Sequence, residues 1–592
     1  MQVRPVSKTV IWLAVGMVLF AMLPALTGFL DSKGQWFLPY GYSFDDQMVY
    51  QAWIHQAAEG NWRFSNRFTF DSDPGLTINL FFLVLGQIAK LAGGVGADLL
   101  ARGVGTALLV LALYRLIFRF SPNSSSRKSA MIFSVLGGGF GALVWHHYGR
   151  GVVRSSPLGS LLGPGLPVDV WQPEIFVFPS MLTTSLFVVS LALVVTAFVS
   201  VIDAAEQPKW PWAGTFAMAV LMNIHSYDVL IIGLVLLGLL VMLIAGKTFT
   251  SAYLVRVMQI CAGILPAALY YVYVIKNDPV FAARAATPTY TSSFLEMAFG
   301  LAPLLVMGCV WVGQRVGRYQ ALSLAGALML AAALAQPSAE AFGLSPITWS
   351  LVLVGVLAWL GWSGRELSLV EKLILAWAVM GLLAPYFPAL FQRKLAAGLA
   401  IPWGILAGDA LVRLYQMKGN GRPFAALGLA GMFVGVVGMW NWLSREMVYI
   451  RGNVSRTTVN ALAYPMELKN FVSELAKQPG TKVIAPPGVP NSVGIDEFAT
   501  PLITDLNPLF TGMAGARTYA GHWSETPDYL ARRNESAAIF FVQTSEESVR
   551  EFLNRTQPNY LCAPTGNEVF RDFNDYGDTV ATAPGWVLIR LR

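Results

Sequence analysis

Charge is scarce in this chain. Asp, Glu, Lys and Arg together make up 13% of its 592 residues, about half of the ~25% usual in soluble domains. Cysteine is scarcer still, with only Cys261, Cys309 and Cys562 present. The first two fall in apolar runs, which excludes a disulfide framework and a cysteine-based zinc site. No fixed-period repeat is present, so a solenoid is excluded. A cleavable leader is not expected either. The apolar run 10–30 behind the basic start MQVRPVSK is longer than the 7–15 residues of a typical leader core.

Apolar sequence fills the space left by charge. The chain is 55% hydrophobic, its mean hydropathy is +0.54, and runs of about 20 apolar residues recur along it. This is the composition of an all-α polytopic membrane protein. The net charge of +7 is unevenly spread. From Asn453 onward 12 basic residues face 15 acidic ones, whereas the rest of the chain carries 29 basic and 19 acidic. Short basic loops on the inner side of a membrane give that pattern, and no nucleic-acid partner is implied.

Hydropathy and loop charge predict thirteen crossings, at about 9–30, 98–120, 130–147, 174–201, 210–225, 228–246, 253–275, 293–313, 319–336, 345–363, 372–391, 396–416 and 424–443. The basic cluster Arg115, Arg119, Arg127 and Lys128 belongs inside by the positive-inside rule. The apolar segment 76–93 therefore does not cross. It is read as a juxtamembrane or re-entrant piece ending in the Gly-rich LAGGVG. The N-terminus is then cytoplasmic and the C-terminus outside, in an inner (plasma) membrane. Gly137–Gly139 and Gly141 are read as small-residue packing in one span. The chain divides into a membrane domain, 1–443, whose first outer loop is 31–97, and an outer α/β domain, 444–592. In the latter, 464–477 and 546–554 read as helices, and 482–485, 539–542 and 586–591 as strands.

The first outer loop holds the most pointed signal. It contains FDDQMVYQAWIHQAAEGNW, with Asp45 and Asp46 adjacent. Met48, Val49, Ala52, Trp53 and Gln56/Ala57 share a face at helical spacing, as in a helix lying in the interface. The two aspartates stand at its start. One of them suffices as a cap and dipole partner; two just outside a bilayer also suit a general base beside a lipid-borne phosphate. The pair is equally able to hold a divalent cation such as Mg²⁺ or Mn²⁺, given further ligands.

A first span, an outer loop opening on paired acids, an interfacial helix and a non-crossing apolar segment together resemble the GT-C superfamily of integral-membrane glycosyltransferases. Protein O-mannosyltransferases, aminoarabinose transferases and the catalytic subunit of oligosaccharyltransferase belong to it. The resemblance implies Asp45 as catalytic base with Asp46 beside it. It also implies a polyprenyl-phosphate or polyprenyl-diphosphate sugar donor and a second acid in the next outer loop. That loop offers Asp169 and Glu174 but no D-x-D or D-x-E pattern, which leaves metal dependence open. Either acid is equally suited to pairing with Arg150 or Arg154.

Leaving phosphate needs neutralising by cations. Arg393 and Lys394 form a basic pair in a short outer turn, and Arg284 is a third candidate. Headgroup anchoring suits the first two as well. His225, Tyr227 and Asp228 form a tight polar turn that either faces the site or caps its hairpin. In the outer domain, His522 and Glu525 crowd one turn of RTYAGHWSETPDYLARR and are candidate acceptor contacts, or the residues of a structural loop.

Three functions are compatible with these residues. One is an inverting transfer of sugar from a polyprenyl-phosphate donor to a lipid, glycan or protein hydroxyl. Another is an oligosaccharyltransferase or glycan ligase of the same layout. The third is a transporter or flippase of lipid-linked glycans, although transporters usually keep ionisable groups near the bilayer midplane.

Overall fold

The computed structural model of the protein describes residues 8–148, 151–154, 165–207, 209–334, 346–387, 390–417, 421–456, 459–489 and 501–592. Most of them are helical. Among the described residues, eight helices are long and apolar enough to cross a membrane, or nine if one bent pair is a single span. Helices dominate because lipid offers no partner to a free backbone group, so each segment bonds within itself.

Among the described residues, nearly all of the thirteen expected stretches are helical over most of their length. Several expected spans are broken, and glycine or proline marks most of the breaks. The expected span 130–147 stops early, with the helix Ser124–Leu136 ending at Gly137. Trp145–Tyr148 then pairs with Gly151–Arg154 as an antiparallel hairpin. The glycines do serve packing, but in an extended stretch. A Cβ on Gly139 would stand 2.1 Å from the Gly300 carbonyl, and one on Gly138 would stand 2.8 Å from the Gly435 oxygen. Gly139→Ala is therefore expected to destabilise the fold by about 1–3 kcal/mol, read as a lower melting temperature in detergent.

The expected span 174–201 becomes a 3₁₀ turn at Pro173–Ile175, a short helix Val177–Thr183, and the crossing helix Ser185–Glu206. Phe294–Gly300 and Ala302–Arg315 meet at 83°, not as one straight span. Helix Leu80–Phe120 covers both 76–93 and 98–120, with a break at Gly93, φ 72° and ψ 163°. Only glycine adopts that conformation readily. Helix Gly421–Arg451 runs past the expected end at 443.

The C-terminal part carries a mixed five-stranded sheet. Its spatial order is Arg517–Thr518, Lys482–Ile484, Tyr560–Pro564, Trp586–Leu591 and Gly577–Ala583. The first three strands pair in parallel and the last two antiparallel. The expected strand at 539–542 does not form. It is the end of helix Tyr529–Ala538 followed by a turn, with a lone bridge from Phe541 to Phe570.

One hydrophobic core joins this domain to the first loop. Phe37, Leu38, Tyr40, Phe44 and Met48 pack with Tyr449, Leu462, Leu509 and Phe510. Strand Trp36–Phe37 pairs with Ala463–Tyr464. A Cβ on Gly512 would lie 2.9 Å from the Met48 carbonyl, so helix Asn507–Ala514 sits directly on the helix that begins with the acid pair. The C-terminal domain and the first loop therefore share one face of the helical bundle.

Candidate functional site

Helix Phe44–Ala58 carries Asp45 and Asp46 in its first turn. Neither aspartate is the cap. Ser43 occupies that position in the left-handed region (φ 51°), and its side chain makes no capping bond. A non-glycine residue there costs energy, and here it sets the approach of the acid pair. The helix does not lie free with one face in the interface, as its pattern predicts. Gln47 and Gln51, off its apolar face, are also buried. Gln47 Nε2 donates to the Thr183 carbonyl (3.1 Å), and Gln51 Nε2 to Tyr40 Oη (2.7 Å). The acid pair thus stands on a support held from all sides.

His522 comes to this pair from the C-terminal domain. Its Nε2 lies 3.4 Å from Asp46 Oδ1 and 3.7 Å from Asp45 Oδ2. The histidine side chain is fully buried, whereas Asp45 is 20% and Asp46 45% exposed. A substrate hydroxyl can therefore reach the carboxylates while the imidazole stays behind them. Burial, then the charge of Asp46, raise the pKa of Asp45. Burial acts the same way on Asp46. There it is outweighed by the bond to His522 and by the fields of His522, Lys394 and Arg284, so its pKa is lowered. Two adjacent carboxylates have become unlike groups.

The cations named from sequence converge here. Arg284 pairs with Glu525 at 3.0 Å and stacks over Trp53 at 5.3 Å. Lys394 has its ammonium 5.8 Å from the Phe187 ring centre, and the charges of Glu174, Asp46 and Asp228 act on it. Burial lowers its pKa against the pull of those carboxylates, and among the described residues none of them lies within ion-pairing distance of it. Arg393 is engaged: its Nε lies 3.3 Å from Glu174 Oε1, and the guanidinium stacks on Trp171 at 5.4 Å. His225 Nδ1 and Asp228 Oδ1 are 3.0 Å apart. Tyr227 packs on Phe391, 5.5 Å between centroids, beside the turn that bears Lys394. That hairpin borders the site as well as starting a helix.

Asp169 stands apart. Its Oδ2 accepts from the Gly141 amide at 2.9 Å, and burial pushes its carboxyl up to about 7. It ties down the glycine turn. Arg154 stacks on Trp145 at 4.9 Å, and Arg150 lies outside the described residues. Two acids of the helical bundle, Glu296 and Asp409, are also bound locally. Glu296 closes a capping box with Ser293, and Asp409 bonds Arg413 and Trp311.

Sequence reasoning missed Tyr50 and Trp53 as parts of the site. They follow Asp46 at helical spacing, and Trp53 carries Arg284. It also missed the buried set Asp98, Arg102 and Ser185, in which Ser185 Oγ donates to Asp98 Oδ1 at 2.5 Å. Helical spacing was the available signal for the first two.

The residues do not suit a divalent cation. Among the described residues no group of three or more His, Cys, Asp or Glu is arranged to hold one. His522 Nδ1 lies 3.2 Å from the Ser524 amide that donates to it. The ring proton therefore belongs on Nε2, toward the aspartates. A protonated nitrogen is no ligand, and the positive charge beside Asp46 already comes from Lys394 and Arg284.

A helical bundle, an acid pair in the first loop and a C-terminal sheet domain make up the described chain. No family model matches the sequence, and no curated protein does. Among solved structures, the chain is similar to an oligosaccharyltransferase from Archaeoglobus fulgidus tethered with an acceptor peptide: TM-score 0.47, 10% identity, 93% of this chain and 69% of that one covered. It is also similar to the same organism's AglB in complex with an inhibitory peptide and a dolichol-phosphate: TM-score 0.43, 12% identity, 94% and 70% covered. ArnT from Cupriavidus metallidurans bound to undecaprenyl phosphate is similar too, with TM-score 0.41, 12% identity and 97% of both chains covered.

Proposed function

We propose that the chain transfers a sugar from a polyprenyl-phosphate carrier to a hydroxyl of a lipid, glycan or protein acceptor, with inversion at the anomeric carbon. The observation that carries this reading is the solvent-reachable acid pair flanked by the cations Lys394 and Arg284. Asp45 is the base. A carboxylate whose pKa is raised takes a proton better near neutral pH than an ordinary one. As the acceptor oxygen attacks the anomeric carbon, its proton passes to Asp45. The bond from that carbon to the phosphate oxygen breaks, and the electron pair leaves with the phosphate. Lys394 meets the charge that develops there, while Arg284, paired with Glu525, adds its field at Asp46. Arg393, tied to Glu174, supports the turn that holds Lys394.

The C-terminal domain stands on the outer side of the membrane in this reading, with the N-terminus in the cytoplasm. The membrane domain then extends to the end of helix Gly421–Arg451, past the expected boundary at 443, and the outer domain follows it. His522 and Glu525 bring the outer domain onto the acid pair, and Glu174 with the His225–Asp228 turn borders it. No metal takes part in the step. Purified protein is expected to keep its activity in excess EDTA. A loss restored by Mg²⁺ or Mn²⁺ would contradict that.

The defining experiment is comparative mass spectrometry of glycolipids and glycoproteins from cells with and without the gene. The reading expects one sugar to disappear from an acceptor. Unchanged glycans, together with a lipid intermediate trapped inside, would point to a flippase instead.

A further inference from the structure

The turn 521–526 brings the C-terminal domain onto the acid pair, and the fold uses nearly every side chain in it. His522 Nε2 lies 3.4 Å from Asp46 Oδ1 and 3.7 Å from Asp45 Oδ2. Ser524 Oγ lies 3.2 Å from His522 Nδ1. Glu525 pairs with Arg284 at 3.0 Å. Thr526 Oγ1 accepts from the Gly521 and His522 amides and donates to the Phe68 carbonyl at 2.6 Å. Asn66 Nδ2 fastens the turn to the first loop again, at the Glu525 carbonyl, 2.7 Å away. A Cβ on Gly521 would stand 3.0 Å from the Phe68 Cα, so the two backbones are pressed together. Trp523 is the exception. Its side chain is 51% exposed. Among the described residues the indole N–H has no hydrogen-bond partner, and the ring it packs against is that of His522, 5.8 Å between centroids and tilted by 35°. A tryptophan left half bare on so firmly held a turn adds little to the fold. It stands one imidazole away from the two carboxylates.

We propose that Trp523 is the platform on which the acceptor lies, and that the acceptor is a glycan: one face of a pyranose ring rests on the indole while the attacking hydroxyl reaches Asp45. A pyranose carries positively polarised C–H groups on its face and hydroxyls around its edge. The face suits an aromatic ring, whose own face is negative. The hydroxyls suit carboxylates, which only accept. Trp523 and the acid pair offer both, on either side of His522. An extended peptide is served less well. It needs free backbone partners, whereas the His522 carbonyl already takes the Glu525 and Thr526 amides and the Glu525 carbonyl takes Asn66. An anionic acceptor group is also disfavoured. Beside Trp523 it would meet Asp45 and Asp46, and the nearby guanidinium of Arg284 is held by Glu525.

The inference rests on the sugar-transfer reading, and its test separates the two. The acceptor probe is the glycolipid and glycoprotein fraction extracted from cells lacking the gene, which holds the acceptor unmodified. Transfer to it from the polyprenyl-phosphate-linked sugar of the same cells is measured with the full chain in nanodiscs. Periodate, which cleaves the vicinal diols of glycans, is expected to destroy the fraction as acceptor, and exhaustive proteolysis is expected to leave it competent. Trp523→Ala is expected to raise the apparent KM for the fraction about tenfold, with kcat within about twofold of the parent and donor KM unmoved, the pattern of lost substrate binding. Trp523→Phe keeps a flat aromatic face and should recover most of the loss. Trp523→Leu is apolar without that face and should not. The exposed position predicts parental melting temperatures for all three. An acceptor KM that Trp523→Ala leaves in place, a recovery by Leu equal to that by Phe, or a fraction that proteolysis destroys and periodate spares would overturn the proposal. Failure of the underlying reading looks different: the parent would then transfer nothing to the untreated fraction, or Asp45→Asn would transfer as well as the parent.

Discussion

Asp45→Asn is expected to lower sugar transfer about 10²–10⁴-fold, the range that a general base contributes. Insertion and melting temperature should be close to the parent's. Asparagine matches the shape of aspartate and removes only the basic oxygen. Asp45 is not the helix cap and, among the described residues, has no ion pair except the 3.7 Å contact with His522, so little structure depends on its charge. The loss should fall on kcat, because the proton moves only in the transition state. Asp45→Glu keeps a base but moves it by one methylene, and should recover part of the activity. An initial-rate assay with the purified variants checks both statements. Transfer within a few-fold of the parent would remove Asp45 as base.

Lys394→Met is expected to produce the second large effect, about 10²–10³ in kcat. A sugar phosphodiester carries one negative charge. The departing phosphomonoester carries up to two, so a cation beside it binds the transition state more tightly than the substrate. Lys394 suits that task because no carboxylate neutralises it among the described residues. Arg393 does not, since Glu174 lies 3.3 Å away. Arg393→Met should therefore act chiefly through the fold of the turn, lowering stability along with activity. Equal effects of the two substitutions on kcat, with equal loss of stability, would contradict this assignment. Separate kcat, KM and thermal-unfolding measurements on each variant distinguish the two cases.

Much of the site was legible in the sequence, since chemistry-bearing residues are rare in so apolar a chain. Asp45, Asp46, Lys394, Arg284, His522 and Glu525 stand out against apolar or neutral surroundings, and the fold gathers them. Their pairing was not legible. His522 and Asp46 lie 476 positions apart in the numbering, and hydropathy carries no information on which outer segments meet. The surroundings of Asp169 were not legible either. A carboxylate in a loop looks available until the loop is seen folded over it, with the Gly141 amide against its oxygen.

The membrane spans show a similar division. Hydropathy found nearly every apolar stretch, but it averages over the points where a helix stops. Gly93 breaks one helix because it adopts a positive φ. Gly137–Gly139 ends another because neighbouring backbones pass too close for a side chain. Both effects arise from three-dimensional crowding, and a window of summed hydropathy does not register them. The acid helix was misjudged for a related reason. Gln47 and Gln51 fall off the apolar face, yet they are buried and bonded to a carbonyl and a tyrosine hydroxyl.

The most direct test of the central claim is lipid and glycan mass spectrometry on cells whose only copy carries Asp45→Asn. The account predicts loss of the same sugar modification that deletion abolishes, with the polyprenyl-phosphate-linked sugar accumulating unspent. Cells that keep the modification at the parent's level while making normal amounts of the Asp45→Asn protein would contradict it.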